Sequence, residues 1–120
     1  MSRRRVVVTG WGTVTPHADD VDRLFSQVSE GICAIDTITQ FDPSHLPSTV
    51  AAEVKYPVEV PKTVGPYPST SRTMRFAVRA ALSAMANAGL ETPADDDWRT
   101  RSRRAVQLST GVGSTAMDAF

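Results

Sequence analysis

The chain has 120 residues, which is enough for one domain and too short for two. A hydrophobic fraction of 41% excludes a disordered chain, and the 13 basic and 13 acidic residues cancel, so no net charge draws the protein toward nucleic acid or anionic lipid. The single cysteine, Cys33, excludes an internal disulfide and argues against a cysteine-based zinc site.

No apolar stretch approaches the ~20 residues that a membrane-spanning helix requires. Arginines at positions 3–5 are followed only by the valines at 6–8, whereas the apolar part of a secretion signal needs about 7–15 residues. The sequence therefore predicts a cytoplasmic protein that contacts neither membrane nor nucleic acid.

The first predicted element is a strand from Arg5 to Thr9. Its adjacent valines, bounded by glycine, are typical of a strand buried on both faces of a parallel sheet. Gly10-Trp11-Gly12 is predicted to turn the chain.

A helix is then predicted from Asp19 or Asp20, either of which can cap it, to about Glu30. Gly31 is expected to end it. Its apolar residues fall on one face, which is formed by Val21, Leu24, Phe25 and Val28.

The pattern weakens between Ile35 and Pro68. Val50 to Val54 is predicted as a short strand. The prolines at 57, 61, 66 and 68 predict an irregular excursion without regular structure.

The clearest predicted element is a long helix that Thr70 or Ser71 caps and Gly89 ends. Apolar residues recur at helical spacing from Met74 to Met85. Many of its residues are alanines, so most of the helix surface carries small side chains. Because small side chains allow close approach, this helix is expected to be central and packed on more than one side.

Asp95-Asp96-Asp97 before Trp98 is predicted as a capped turn, and Arg104 to Thr110 as a further strand. A turn at Gly111-Val112-Gly113 follows, and another helix has only begun at Phe120. The alternation of strands and helices predicts an α/β fold with a mainly parallel sheet. Because such a sheet needs complete crossover helices, we expect the chain to be part of a larger whole.

Two Gly-x-Gly turns, at Gly10 and Gly111, each follow a predicted strand, as the phosphate loops of dinucleotide-binding folds do. The first has Thr15 where a third glycine would stand, and the chain ends before the acidic ribose partner of the second. A tight turn at which two backbones pass closely is the favoured interpretation of both. A nucleotide-binding module remains an alternative.

Three residues have catalytic potential: Cys33, His17 and His45. Cys33 lies just past a predicted helix C-terminus, where the dipole disfavours a thiolate, so a buried small hydrophobic residue is the favoured interpretation. The histidines lie in polar loops, and their spacing does not require them to converge. These residues therefore predict no catalytic, metal or cofactor site.

Five segments together resemble the opening of β-ketoacyl synthases that elongate carrier-bound acyl chains. They occur in the family's order over nearly the whole chain, and the stretch near 57–68 fits most poorly. The segments are RRVVVTGWGTVTP at 4–16, GICAI through ITQFD at 31–42, AEV at 52–54, RTMRFA through AGL at 72–90, and STGVG at 109–113.

The resemblance implies the thiolase-like fold, layered αβαβα and usually homodimeric, with residues 1–120 as an incomplete N-terminal segment of its N-terminal domain. It implies decarboxylative Claisen condensation of a malonyl unit on an acyl carrier protein with an acyl thioester, in fatty-acid or polyketide biosynthesis, with no cofactor. The family uses a cysteine nucleophile, two histidines and an oxyanion hole. All of these lie later than the residue matching Phe120, so no catalytic residue is assigned and the chain alone is expected to be inactive.

One binding role carries over from the family, whose residue between the two glycines of the second turn lines the acyl-chain pocket near the dimer interface. Here that residue is Val112, for which an ordinary core position is the alternative. The expected partners are the acyl carrier protein, through the complete enzyme, and a second copy or a complementing chain. The main alternative function is a catalytically inactive interaction subunit of the chain-length-factor type.

The arginines at 99, 101, 103 and 104 form a basic run beside Trp98. Such a run can contact phosphate or the carrier protein. Because three aspartates immediately precede it, a solvated, salt-bridged loop is the favoured interpretation.

Overall fold

The computed structural model describes residues 4–61, 71–91 and 97–109. Within these ranges the chain forms three helices and one two-stranded sheet. In chain order the elements are α1 (Val21–Ser29), β1 (Ile35–Thr37), β2 (Val50–Ala52), α2 (Arg72–Asn87) and α3 (Trp98–Ser102).

Helix α1 begins and ends where its sequence predicts. Asp20 is the N-cap, and its carboxylate accepts a backbone N–H of the first turn at 2.9 Å. Gly31 adopts a φ of 72°, a conformation that costs glycine little because it has no Cβ. The N–H of Gly31 donates to the carbonyl of Val28, and the N–H of Ile32 donates to the carbonyl of Gln27. These two hydrogen bonds form a Schellman motif.

Helix α2 has the same kinds of ends. Of the two predicted caps, Ser71 occupies the N-cap, and its hydroxyl oxygen accepts a first-turn N–H at 3.3 Å. Gly89 has a φ of 65° and donates its N–H to Ala86, while Leu90 donates to Met85 at 2.9 Å. The predicted helix and both of its boundaries are confirmed.

The small residues of α2 let the N-terminal segment lie directly against the helix backbone. A Cβ built on Gly10 would lie 2.6 Å from the carbonyl oxygen of Ala84, and one on Gly12 would lie 2.1 Å from that of Ala80. The N–H between the two glycines donates to the side chain of Asn87 at 3.2 Å. The predicted close passage of two backbones is confirmed for this first turn, whose glycines allow contact with the backbone of α2.

The sheet pairs β1 with β2 in antiparallel fashion, with Ile35 opposite Ala52 and Thr37 opposite Val50. The predicted strand from Val50 to Val54 is confirmed over its first three residues. The mainly parallel sheet is not seen in the described ranges, because these short strands are joined by a loop without the crossover helix that parallel pairing usually uses.

Two predicted strands are absent from the described ranges, since residues 5–9 and 104–109 form no ladder. The valines at 6–8 are between 74% and 93% exposed, and Val106 and Leu108 are 84% and 73% exposed. A strand needs paired neighbours and a covered apolar face, and neither run has them here. The described residues of both runs therefore do not form the predicted strands, and the predicted burial of the first run is not seen.

In the part of the chain that the structure describes, buried residues lie in two places, the loop before α1 and the exit of β2. Among the described residues Ala18, Val54 and Glu53 are buried, while Phe25 on α1 and Met74 on α2 are 74% and 49% exposed. Helix α2 has no buried residue, so the expected central position with packing on more than one side is not seen. Across the described ranges, no helix has the length and apolar character to cross a membrane.

Candidate functional site

A polar cluster surrounds the carboxylate of Glu53 at the exit of β2. Glu53 is only 8% exposed. One carboxylate oxygen accepts the N–H of Thr39 at 3.0 Å and its hydroxyl at 2.8 Å, and the other accepts the N–H of Gln40 at 3.3 Å. Because a buried charge is stable only with such partners, the cluster fixes the chain leaving β1 against the end of β2.

The ionisation of Glu53 follows from these contacts. Burial raises the pKa of its carboxyl, but the hydrogen bonds from Thr39 and Gln40 and the charge of Lys55 outweigh burial, so the pKa lies below its usual value. At neutral pH Glu53 is therefore an ionised acceptor. This state suits a structural role and not that of a general acid.

Arg72, the first residue of α2, extends the same cluster. Its guanidinium donates to the side-chain oxygen of Gln40 and to the backbone carbonyl of Val54. It also lies over the ring of Phe76, 5.4 Å from the centroid. These contacts join the first turn of α2 to the β1–β2 sheet.

The cluster forms one wall of an open cleft of about 710 Å³. The cleft is lined by the chain after β1, by residues 53–59 and by the first turns of α2. Its rim carries Lys55, whose ammonium pairs with Asp36 at 2.7 Å and, by donating to that carboxylate, lowers its pKa. The described lining includes neither cysteine nor histidine, so it offers no pair of nucleophile and base.

A second cluster ties the loop before α1 to α2. Arg79 pairs with Asp19, with Nη2 at 2.9 Å and Nε at 3.1 Å from the same carboxylate oxygen. The Tyr56 hydroxyl donates to the Thr15 carbonyl at 2.7 Å, and burial raises the pKa of Tyr56 above its usual value. Tyr56 therefore stays protonated at neutral pH and acts as a hydrogen-bond donor.

The structure does not gather the three residues with catalytic potential into one site. Cys33 is exposed, so its predicted burial is wrong. It lies where the chain passes from Gly31 into β1, and β1 is exposed along its whole length. His45 is exposed, His17 is half-buried, and neither lines the cleft. Within the described ranges, no three His, Cys, Asp or Glu side chains are placed to hold a metal ion.

The arginine run lies on α3 and just after it. Asp97 is the N-cap of α3, which confirms this part of the predicted capped turn; Asp95 and Asp96 lie outside the described residues. The Arg99 guanidinium lies over the Trp98 ring at 5.6 Å from the centroid. The described arginines of the run are exposed to solvent, as predicted, but Trp98–Ser102 is a short helix and not the predicted loop.

Val112 and the second Gly-x-Gly turn lie outside the described residues. The assignment of Val112 to an acyl-chain pocket therefore stays a prediction.

Sequence reasoning missed the cluster of Glu53 and Arg72. The available signal was a lone carboxylate within the apolar run from Val50 to Val54, since a charge there needs partners. Its partners come from the chain after β1 and from α2, and local spacing does not identify them.

Comparison with known proteins identifies a matching family and several relatives. The family described as "Beta-ketoacyl synthase, N-terminal domain" matches residues 3–119. A putative polyketide beta-ketoacyl synthase 1 of Streptomyces halstedii is 36% identical over 116 residues, which are 93% of this chain and 26% of that protein. A 3-oxoacyl-acyl-carrier-protein synthase 2 of Coxiella burnetii is 30% identical over 114 residues, 94% of this chain and 27% of that protein.

A third relative is the tetracenomycin polyketide synthase ketoacyl synthase beta subunit of Streptomyces glaucescens. It is 35% identical over 96 residues, which cover 78% of this chain and 23% of that protein. The chain thus spans about a quarter of the length of these relatives. The match confirms the predicted resemblance and implies the thiolase-like α/β fold class, while the layering of that fold is not seen in the described elements. This chain belongs to the beta-ketoacyl synthase family, whose N-terminal domain matches residues 3–119.

Proposed function

We propose that this chain is the N-terminal segment of a condensing enzyme that joins a malonyl unit on an acyl carrier protein to an acyl thioester. The observation that carries the proposal is the family match over residues 3–119. The names of the relatives support polyketide and 3-oxoacyl synthesis alike. In this proposal the cysteine nucleophile and the two histidines come from polypeptide outside residues 1–120.

The placement of the reactive side chains supports this division. Cys33 is exposed in the chain between α1 and β1 and does not line the cleft. Neither His17 nor His45 lines the cleft. The described residues therefore contribute a frame, held by the glycine contact with α2 and by the Glu53 cluster, and not the reacting groups.

The exposed apolar runs support the same proposal. The valines at 6–8, together with Val106 and Leu108, expose most of their surface. Burying apolar surface is worth about 25 cal/mol per Å², and contiguous exposed apolar surface marks an interaction site. We expect both runs to pair as strands in the complete synthase, where further polypeptide supplies their neighbours.

Val112 supplies the binding part of the proposal. It lies between Gly111 and Gly113, where its branched apolar side chain would form part of the acyl-chain pocket near a dimer interface. The proposed partners of the complete enzyme are the acyl carrier protein and a second copy of the enzyme or a complementing chain.

A chimera tests the proposal. Residues 3–119 replace the matching segment of the Streptomyces halstedii relative, and condensation is measured with malonyl- and acyl-loaded carrier protein. We expect condensation by the chimera and none by residues 1–120 alone. Condensation by the isolated chain would overturn the proposed division, and a folded but inactive chimera would overturn the proposal that this segment serves an active enzyme.

A second candidate is an interaction subunit without condensing activity. The similarity to the Streptomyces glaucescens beta subunit favours it. The same chimera separates the two candidates, because a folded chimera that assembles but does not condense supports the interaction subunit.

A further inference from the structure

Gln40 connects the Glu53 cluster to α2 through both its backbone and its side chain. The backbone N–H donates to Oε1 of Glu53 at 3.3 Å, and the side-chain oxygen accepts the guanidinium of Arg72. The same guanidinium donates to the carbonyl of Val54, the residue after Glu53. Arg72 thus holds the start of α2 to the two segments that Glu53 joins. We call the connection from Glu53 through Gln40 to Arg72 the Gln40 link.

The Gln40 link matters because little apolar burial attaches the first turn of α2. The helix has no buried residue, and Phe76, under the Arg72 guanidinium, is only half-buried. The first glycine turn contacts α2 further along, between Ala80 and Ala88. Across the described ranges, the hydrogen bonds of Arg72 are therefore the main attachment of this first turn to the sheet.

Protonation changes what each oxygen of Glu53 can bind. An ionised carboxylate only accepts hydrogen bonds, whereas a protonated carboxyl oxygen carries a hydrogen that an incoming N–H would oppose. Oε2 accepts both the N–H and the hydroxyl of Thr39, at 3.0 and 2.8 Å, while Oε1 accepts the longer bond from Gln40. A proton on Oε1 therefore displaces the N–H of Gln40 and leaves both contacts of Thr39 in place.

The surroundings of Glu53 set the pH range of this change. Burial raises the pKa of Glu53, but the hydrogen bonds from Thr39 and Gln40 and the charge of Lys55 together bring it below the usual value of 4.5. The contacts of the ionised form are therefore complete above pH 4.5 and are lost as pH falls through the folded pKa. The other titratable or charged side chains around the cleft and its rim are Asp36, which pairs with Lys55, and Tyr56, Glu59, Arg72 and Arg75.

From this arrangement we propose that protonation of Glu53 on Oε1 breaks the Gln40 link and releases the first turn of α2 from the β1–β2 sheet while the helices stay formed. The cleft then widens on its α2 side in acid and closes again at neutral pH. The proposal does not depend on the condensing function, because it involves only groups within the described residues and none of the proposed reacting groups.

Nuclear magnetic resonance of the isotope-labelled 120-residue chain between pH 7 and 3 tests the proposal. The signals of the Gln40 backbone N–H and of the Arg72 side chain should shift together, with one midpoint below pH 4.5. Through the same midpoint the protection of the Gln40 N–H against hydrogen exchange should fall by about tenfold, as expected for one hydrogen bond to a charged group. Far-ultraviolet circular dichroism should stay constant across this step.

Three variants assign the step to the Gln40 link. Glu53→Gln carries no charge to lose, so its Gln40 and Arg72 signals should lie near their acid positions at pH 7 and show no step. Gln40→Ala keeps the backbone N–H but removes the acceptor of Arg72, so the step should remain at residue 40 and disappear at Arg72. The matched control is Asp36→Asn, which removes another carboxyl whose pKa is lowered, and it should keep the step at both residues.

Three outcomes would overturn the proposal. The first is a step that persists in folded Glu53→Gln, and the second is a wild-type step at Gln40 with no change at Arg72. The third is loss of the helical circular dichroism signal at the same midpoint, which would mean that acid unfolds the chain as a whole. Should Glu53→Gln fail to fold, the contrast between Gln40→Ala and Asp36→Asn decides, because an equal response of both variants at Arg72 also contradicts the link.

Discussion

The close contact between the first glycine turn and α2 predicts that Gly12→Ala lowers the stability of the folded chain. A Cβ at this position would lie 2.1 Å from the carbonyl oxygen of Ala80, 2.6 Å from the backbone nitrogen of Ala84 and 2.8 Å from the Cβ of Ser83. Ordinary contact begins at 3.4 Å, so the N-terminal segment would have to move away from the helix by more than 1 Å. The obstructing atoms belong to helix backbone or to a Cβ, and no flexible side chain can move aside.

The expected loss in the free energy of unfolding is the one caused by overpacking. Extra atoms forced into a packed contact destabilise by about 1–3 kcal/mol, and Gly12→Ala should lie near the upper end because two of the three clashes are with backbone. A loss of about 2–3 kcal/mol corresponds to a Tm lower by on the order of 10 °C. Urea unfolding followed by circular dichroism measures the change.

Gly31→Ala is the matched control. Its Cβ would meet nothing within 4 Å, so only the positive φ of 72° disfavours alanine, at about 1 kcal/mol. A Gly12→Ala variant as stable as the wild-type chain, or no less stable than Gly31→Ala, would refute the packing of this turn against α2.

Three further predictions follow from the same structure. Tyr56→Phe removes the donor to the Thr15 carbonyl and keeps the ring, so urea unfolding should show a loss of about 1 kcal/mol; no loss would mean that this bond does not form. Because the pKa of Glu53 is lowered in the folded chain, its contribution is present above its usual value of 4.5 and is lost as pH falls through the folded pKa. Urea midpoints between pH 3 and 7 should therefore fall less steeply with acid in Glu53→Gln, and an unchanged slope counts against the Glu53 cluster. In the chimera, Val112→Phe should shift the products toward shorter acyl chains, as measured by mass spectrometry, and an unchanged product length would remove Val112 from the pocket.

Helices α1 and α2 were predictable because their determinants lie within a few residues of one another, whereas α3 was predicted only as a capped turn. Asp20 and Ser71 cap their helices through side chains that reach the first turn, and Gly31 and Gly89 end them by adopting positive φ. These are local contacts, so the order of residues is enough to place them. A close backbone approach at Gly10 and Gly12 was predictable because glycine lacks a Cβ, but the sequence did not identify α2 as the partner.

The sheet was less predictable because pairing depends on partners far away in sequence. The run from Arg5 to Thr9 has the composition of a buried strand, yet composition cannot supply the neighbour that a ladder requires. Conversely, Ile35–Thr37 has no clear alternation and becomes a strand only because Val50–Ala52 lies beside it.

The candidate site shows the same limit. The isolated carboxylate of Glu53 was visible in the sequence, but Thr39, Gln40 and Arg72 come together around it only in the folded chain. Cys33 was expected to be buried from its residue type, whereas the path of the chain out of α1 leaves it exposed. Residue type predicts an average environment, and tertiary contacts determine the actual one.

The most direct measurement locates the acyl group on the working chimera. After incubation with an acyl-loaded carrier protein, peptide mapping by mass spectrometry identifies the cysteine that carries the acyl thioester. We predict a cysteine contributed by the relative, with Cys33 unmodified and with Cys33→Ala acylated to the same extent. Acylation of Cys33 itself, abolished by Cys33→Ala, would contradict the claim that this chain frames a reaction whose nucleophile lies elsewhere.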